Sequence, residues 1–414
     1  MSVDRAAFSA LFKCNKCGSC TSVCPLYQQT VYEGMVARGK LALVESMLDG
    51  GVVTAEAARG VMETCLLCGA CAQNCPSLVP TTDLFLQARS AFAERLGIPL
   101  AVRALLTVLA SPRALGTIMP PLSLVQRSGL PALLEGPLGT LAPEGLKAAA
   151  RTAPPVALQA FRSRPLPSGR GTRGRVAYFA GCFMNWGYAD AARGTCLALS
   201  RAGYQVESPA VVCCGVPHRA YGDAGAALDL ARKNVAALEG YEAVVSDCAS
   251  CGAALKEYGR LLAGDPAFAE RAQALSSRVA DAAEFLVKQG YEAPRGETRL
   301  RVTWHDPCHL VRGQGVKVQP RDVLRSIPGV ELVEMKGADV CCGGAGSFCV
   351  THPELSQAVG GTKAENVMAT GADAVVTQCP ACLSQLRAML KSKGAATKVI
   401  HLGELLAQSY QKSP

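Results

Sequence analysis

The 414-residue sequence is short of aromatic residues, at 5% with two tryptophans, and only 18% of it is charged. No stretch of 18 apolar residues is free of charge and proline, so a membrane-spanning helix is not supported. The nearest approach, Leu96 to Leu134, is broken by Arg103, Pro112, Arg113, Pro120, Pro121 and Arg127. That stretch reads either as a helical hairpin packed on the chain's own domains or as a contact for a partner or a membrane surface. Met1 to Phe8 lack the basic region, apolar core and cleavage site of a secretory signal, which sets the expectation of a cytoplasmic protein. A Gly-x-Gly-x-x-Gly after a strand, a P-loop and a nucleophile elbow are all missing. Neither flavin nor nicotinamide is therefore expected on this chain, and substrate dehydrogenation belongs on another polypeptide. Aromatic platforms and a basic motif beside the cysteines are missing too, which argues against a zinc-stabilised protein that binds nucleic acid.

What the sequence has in abundance is cysteine, 20 residues in a chain that is 49% hydrophobic. Two or three domains of this length bury adequate cores without covalent staples, and a reducing compartment favours metal ligation over disulfides. The cysteines fall into three blocks, eight in residues 14–75, six in 182–251 and six in 308–382. Arg151 to Arg175, rich in Pro, Arg and Gly, separates the first block from the others. The expected organisation is a helical module over 1–95, a connector over 96–174, and two α/β modules over 175–295 and 296–414.

Cys14-Asn-Lys-Cys17-Gly-Ser-Cys20-Thr-Ser-Val-Cys24-Pro25 has the spacing of the bacterial ferredoxin run, and Cys65-Leu-Leu-Cys68-Gly-Ala-Cys71-Ala-Gln-Asn-Cys75-Pro76 repeats it. Three thiolates at spacings of two wrap three corners of one cubane, while the fourth, followed by Pro, turns to the other cluster. The predicted ligand sets are thus crossed: Cys14, Cys17, Cys20 and Cys75 for one 4Fe-4S cluster, and Cys65, Cys68, Cys71 and Cys24 for the second. Gly18 and Gly69 allow backbone amides to approach the sulfides. Paired zinc sites are the alternative, although zinc does not require the third Cys, the fourth Cys and the Pro twice over. Around these motifs the pattern is helical, with Leu41, Val44 and Leu48 in one stripe and Thr54 capping a helix that carries Ala58, Val61 and Met62.

The second and third blocks are copies of one another. Arg175-Val-Ala-Tyr-Phe-Ala-Gly-Cys182 matches Arg301-Val-Thr-Trp-His-Asp-Pro-Cys308. Each copy continues to a Cys-Cys-Gly, at Cys213-Cys214-Gly215 and Cys341-Cys342-Gly343, and closes on a strand entering Cys248-x-x-Cys251 or Cys379-x-x-Cys382. Strands alternating with helices over Ala189 to Ala202, Ala224 to Leu238 and Leu355 to Thr370 predict a mainly parallel sheet with cysteines at strand carboxyl ends. The fold class expected overall is α+β. Five thiols per copy exceed one tetrahedral zinc, and adjacent cysteines suit different irons of a larger cluster better than one ion. Gly215, Gly343, Gly344 and Gly346 would let the backbone approach such an object. A single cubane or zinc with one spare thiol remains the alternative.

At these residues the sequence resembles the cysteine-rich domain of heterodisulfide reductase catalytic subunits. With its ferredoxin runs, Trp304-His-Asp-Pro-Cys-His-Leu310 and Cys341-Cys-Gly-Gly-Ala-Gly346, it looks like the iron-sulfur subunit of glycolate oxidase, of related lactate dehydrogenase systems and of anaerobic glycerol-3-phosphate dehydrogenase. The resemblance runs from about Phe12 to Leu406. It implies up to two further clusters, of the noncubane 4Fe-4S kind, held by Cys182, Cys213, Cys214, Cys248 and Cys251, and by Cys308, Cys341, Cys342, Cys379 and Cys382. Many members of the 2-hydroxy-acid group lack part of the final Cys-x-x-Cys, whereas all ten cysteines are present here. His218, His305 and His309 flank these cysteines as candidates to donate to a sulfide, ligate iron or carry protons, or simply to fix the backbone. Cys196 and Cys349 lie outside the pattern and read as core packing.

The function expected is an electron-transfer subunit. A FAD-containing 2-hydroxy-acid dehydrogenase, for lactate or glycolate, would pass electrons through these clusters to a quinone, a cytochrome or an electron-transfer flavoprotein. That role allows a peripheral position on the cytoplasmic face of a membrane. The alternative is a heterodisulfide reductase-like catalytic subunit that reduces a disulfide at a Cys-Cys-Gly cluster. The formal charge of +9, from 42 basic and 33 acidic residues, counts every Cys as a neutral thiol. Four-thiolate oxidised 4Fe-4S centres carry about −2 each. The basic excess therefore offsets the charge of the chain's own cofactors, which weakens the hint of an anionic partner that a positive net charge gives.

Overall fold

Short runs of Val, Ala and Tyr with β character form strands in the C-terminal part of the chain, as a computed structural model describing residues 5–51, 53–129, 142–167 and 171–412 shows. Strands β1 (Arg175–Tyr178), β2 (Gln205–Glu207), β3 (Ala243–Ser246) and β4 (Val279–Asp281) form a parallel sheet in the order β2-β1-β3-β4. Strands β5 (Leu300–Trp304), β6 (Val330–Leu332), β7 (Ala374–Thr377) and β8 (Lys398–His401) form a second, in the order β6-β5-β7-β8. The registers agree as well. Val176 stands opposite Val206 and Ala243, and its counterpart Val302 opposite Leu332 and Ala374. The duplication read from the cysteines is thus a duplication of topology.

In each sheet the connections leave the first strand in opposite directions, which opens a crevice at the strand carboxyl ends. Cysteines occupy that edge. Cys182 starts the helix Cys182–Trp186 after β1, and Cys248 caps Ala249–Lys256 after β3. Cys308 and Cys379 hold the same places at Cys308–Gln314 and Pro380–Ser392, where Pro380 suits the first helical turn.

The two copies share one hydrophobic core containing Val176, Tyr178, Val244, Val302, Trp304 and Val376. The last helix, Leu402–Lys412, follows β8 yet packs on Ala189–Arg201 of the first copy. There the approach is so close that a Cβ on Gly403 would overlap Thr195 Oγ1. Reciprocally, Ala282–Gln289 after β4 lies against Gln319–Arg325 of the second copy.

The N-terminal part contains no strand among its described residues. Helices Ala37–Leu48, Ala55–Glu63 and Thr81–Leu96 enclose Leu41, Val44, Ala58, Met62, Phe85 and Phe92. Met47 joins the buried stripe and Leu48 is half-buried, a rotation of one position from the expected pattern. Thr54 caps the second of these helices by accepting from the Ala57 N–H. The whole is α+β: a helical module, then two α/β units.

The apolar segment after Leu96 folds as the helices Leu100–Ala110 and Pro112–Arg127, bent by 102°. Leu106, Leu115 and Ser123 are buried, whereas Leu100, Ile118, Leu122 and Leu124 remain exposed. No single helix among the described residues is long and apolar enough to cross a membrane; residues 130–134 of that segment lie outside the described residues. The Pro-rich stretch beyond it is anchored on both copies. Thr152 meets Cys349, and Phe161 is buried edge-on to Tyr178, with ring centroids 5.3 Å apart.

Asp281 ends β4 and caps the helix Ala282–Gln289, its Oδ1 accepting from Ala283 N–H while the Glu284 carboxylate accepts from Asp281 N–H. Oδ2 is buried without a partner, and burial pushes the carboxyl up to about 7. The native state therefore holds this proton more tightly than the unfolded chain, whose Asp titrates near ~3.9, and stability falls as pH rises between the two values. Asp281→Asn, which retains a capping oxygen, is expected to remove a pH-dependent loss of up to ~4 kcal/mol. Anaerobic denaturant unfolding between about pH 5.5 and about pH 7.5 checks it, and an unchanged slope in the variant excludes Asp281 as the source.

Candidate metal centres

The fold gathers sulfur into four groups. Cys14, Cys17, Cys20 and Cys75 line one cavity with Gly18, Arg38 and Pro76, and Cys71 also reaches its wall. Cys65 lies within electrostatic reach of Cys24, Cys68 and Cys71, and Cys71 within reach of Cys24. Each run's last cysteine thus stands with the other run's first three. The cause is local: Cys24 caps Pro25–Thr30, whose proline at the first helical position turns the chain away from its own run.

The two remaining groups repeat one chain of thiol contacts. It runs Cys182, Cys213, Cys214, Cys251, Cys248 in the first copy. In the second it runs Cys308, Cys341, Cys342, Cys382, Cys379. All five sequence-predicted cysteines of each copy are therefore together. Gly215 and Gly343 follow the Cys pairs at φ of 84° and 82°, a left-handed turn that brings the second cysteine back toward the strand ends. A Cβ on Gly343 would also strike Ser356 O at 2.6 Å. Gly18 and Gly69 are left-handed too, and Gly344 packs closely on Gln385 and Ala381.

Chemically these are soft, crowded donors. None of the 20 cysteines is in a disulfide. Burial pushes Cys71 up to about 12 and holds Cys68 well above the usual thiol range. Within each five-thiol group the first cysteine of the pair goes the other way: Cys213 is lowered first by the Cys182 thiol and Cys341 first by the Cys308 thiol, each then by its neighbour in the pair. In the second group Cys379 is also brought down, to about 7, first by the Cys382 thiol. Such a set ionises fully only around a cationic, thiophilic centre, which is what iron–sulfur clusters supply.

Two lysines are buried beside these groups. Lys40 donates to Val61 O and, at 2.7 Å, to Thr64 Oγ1, and lies within reach of Cys65, Cys24 and Cys71. Lys363 donates to Gly337 O and Ala338 O at 2.5 and 3.1 Å, near Cys342, Cys341 and Cys382. Burial brings each ammonium down to about 8. Buried Arg89 donates to Cys65 O at 2.7 Å and to Ala220 O at 2.8 Å, tying the helical module to the first α/β copy.

The groups adjoin one another. Cys24 and Cys68 share an apolar cluster with Cys308, Cys341, Leu26 and Leu66. Ser250, inside the first copy's Cys-x-x-Cys, contacts Cys379 of the second at 3.9 Å and His309 Nδ1 at 2.8 Å. A cavity of about 380 Å³ opens onto this junction, lined by Cys68, Ser250, His309 and Arg312 among others. His218 hydrogen-bonds Cys213, and His305 stands beside Cys342 and Cys382. Cys196 lies in the core, and Cys349 donates to Gly346 O at 3.2 Å, consistent with packing.

Residues 10–79 match the 4Fe-4S dicluster domain, and residues 176–256 and 302–387 match the Cysteine-rich domain, CCG. The chain is 32% identical to the probable glycolate oxidase iron-sulfur subunit of Bacillus subtilis, across 98% of its own length and 95% of that protein. The chain belongs to the glycolate oxidase iron–sulfur subunit family. This family member carries iron–sulfur clusters and acts in electron transfer. It is also 32% identical to lactate utilization protein A of Oceanobacillus iheyensis, over 56% of the chain and 96% of that protein. To a fumarate reductase (CoM/CoB) polypeptide of Methanothermobacter marburgensis it is 36% identical, over 58% of the chain but 48% of that protein.

Sequence reasoning missed Lys40, Lys363, Arg89 and Ser250. The lysines left a signal: each falls on the buried face of its helix, Lys40 with Ala37, Leu41 and Val44, and Lys363 with Val359, Ala364 and Val367. A cation in an apolar stripe calls for buried negative charge. Lys40→Met removes that charge from the Cys24, Cys65, Cys68 and Cys71 group. It is expected to lower the midpoint potential of an N-terminal centre by on the order of 60 mV, equivalent to ~1.4 kcal/mol for one electron. A redox titration followed by EPR checks it, and an unchanged potential refutes the electrostatic role.

Proposed function

We propose that this chain is the electron-transfer subunit of a flavin-dependent 2-hydroxy-acid dehydrogenase complex, relaying electrons between a FAD-containing partner that oxidises lactate or glycolate and a quinone, cytochrome or electron-transfer flavoprotein. Cys14, Cys17, Cys20 and Cys75 hold one 4Fe-4S cluster, and Cys65, Cys68, Cys71 and Cys24 the second. The five cysteines of each Cys-Cys-Gly copy hold a further centre. When bound, these clusters supply one-electron carriers; the protein sets their spacing, charge and access to water.

The single observation that carries the reading is contiguity. Cys71 faces both N-terminal groups, Cys68 lies against Cys341 and Cys308, and Ser250 joins Cys379 to the first copy's Cys-x-x-Cys. Exposure grades along the same line. Cys17 is exposed, the other N-terminal cysteines are half-buried, and most of the Cys-Cys-Gly thiols are buried. Exchange with a protein partner is thus served at the Cys17 end. Delivery to a membrane carrier would put the chain on the cytoplasmic face, with the exposed Leu100, Ile118, Leu122 and Leu124 facing it. The match to the Bacillus subtilis glycolate oxidase protein runs the full length of both chains, whereas the match to the fumarate reductase (CoM/CoB) polypeptide spans about half of that protein. That difference favours the relay over disulfide reduction.

Co-purification tests it. The tagged chain is expected to carry with it a flavoprotein that reduces its clusters on addition of lactate or glycolate. Cys68→Ser is expected to leave flavin reduction intact while transfer to the terminal acceptor is lost. Zinc with little iron or acid-labile sulfide in the purified chain, or clusters that no 2-hydroxy acid reduces in the complex, would sink the proposal.

A further inference from the structure

The two Cys-Cys-Gly copies differ at the position just after their first strand. After β1 stands Phe179, whose N–H donates to Val245 O; after β5 stands His305, whose N–H donates to Val376 O at the equivalent place. Both side chains are fully buried. An aromatic ring thus fills the position in one copy and an imidazole in the other, so a five-thiol group of this fold does not need the histidine for packing.

The imidazole is oriented. Its Nδ1 lies 3.2 Å from Ala338 O, and a carbonyl oxygen can only accept, so Nδ1 carries the proton. Lys363 donates to the same carbonyl. The ring is fully buried beside the Lys363 ammonium, a place that disfavours a second positive charge. Nε2 then bears an unprotonated lone pair. It is buried without a hydrogen-bond partner. A nitrogen of this ring lies with Cys342 Sγ and Cys382 Sγ in a set whose members are all within 4.8 Å of one another, and with Nδ1 engaged by Ala338 O, Nε2 is the nitrogen left to bind there.

A lone pair in that position has few outlets. Once the neighbouring sulfurs are thiolates they offer no S–H, and an unsatisfied buried acceptor costs ~1–3 kcal/mol. A metal removes that penalty, and a neutral imidazole whose other nitrogen donates to a backbone carbonyl is the usual form of a histidine ligand.

We propose that His305 Nε2 is a direct ligand to the iron–sulfur centre of the second Cys-Cys-Gly group, so that this centre has mixed sulfur and nitrogen ligation while the first has sulfur alone. The inference rests on the reading that Cys308, Cys341, Cys342, Cys379 and Cys382 hold a cluster. It makes the two copies inequivalent carriers, because a neutral nitrogen donor and a thiolate set different potentials.

Mössbauer spectroscopy of the whole reconstituted chain, which sees every iron whatever its spin state, tests it. The wild type is expected to show a minority iron subsite with nitrogen character. His305→Cys, which offers sulfur instead, is expected to keep the iron-to-protein ratio, lose that subsite and lower the potential of one centre. His305→Phe, copying Phe179, is expected to lose the same subsite with or without some iron. Identical wild-type and His305→Cys spectra at equal iron content overturn the inference alone. If Cys341→Ser with Cys342→Ser leaves the iron content unchanged, no cluster sits there, and both the ligand reading and this inference fall.

Discussion

Burying sulfur that must become negative is the constraint on which this structure depends. Ten cysteines converge in two groups at the carboxyl ends of parallel strands, most of them out of contact with water. Burial alone keeps such thiols neutral. Thiolates there require compensation by a metal, by neighbouring thiols and amides that donate, and by cations placed nearby. Donors and cations of both kinds are present. Cys213 and Cys341 each accept from flanking thiols, Gly215 and Gly343 turn their backbone N–H groups toward the same sulfurs, and Lys363 lies beneath the second group. Lys40 and Arg89 serve the Cys65 side of the helical module in the same way. Lys40, Arg89 and Lys363 thus place positive charge where cofactor charge is to be held, at positions no exposed basic patch would reveal.

Parallel topology supplies the geometry. A sheet whose order reverses beside its first strand leaves a crevice, and the first residues after β1 and β3, or β5 and β7, point cysteines into it from opposite sides. One such unit could hold one centre; two are needed for a relay, and they must lie close. Exchange of the terminal helices achieves this, since Leu402–Lys412 caps the first copy while Ala282–Gln289 contacts the second. His401 at the end of β8 reinforces the junction. Its Nε2 lies 3.1 Å from Asp247 O, and the Asp247 carboxylate accepts from Tyr178 and Thr195 at 2.6 Å each. The buried network fixes the loop that carries Cys248.

Much of this was legible in the sequence because it is encoded locally. Both ferredoxin runs, the Pro that ends each, the repeated strand-to-Cys segments and the capping Thr54 act within a few residues. The crossed placement of each run's last thiol is local for the same reason, since Pro25 and Pro76 follow those cysteines at a turn. What was not legible depends on residues far apart in the chain. Nothing near Ser250 announces Cys379, and nothing near Cys68 announces Cys341. Phe161 sits in a stretch that composition reads as linker, yet its ring is buried against Tyr178 because the core has room there and the linker does not. Lys40 and Lys363 lie between the two cases, since the helical period exposes them as anomalies without saying what they compensate.

The same division explains why the copies diverged where they did. Positions that build the crevice are shared: the central Val and the aromatic residue at the end of the first strand, the left-handed glycine, the capping cysteine. Some positions next to the cysteines are not. Phe179 stands against His305, Phe183 against His309 and Asp247 against Gln378, an apolar or hydrogen-bonded group in the first copy and a different polar one in the second. The second copy is also the one whose cysteines cluster with Cys24 and Cys68. A second carrier with the nitrogen ligand proposed for His305 would differ in potential from the centres on either side of it. Duplication provided two equal scaffolds, and substitution beside the thiols is a route by which one of them would acquire a different potential without disturbing the strands that hold it.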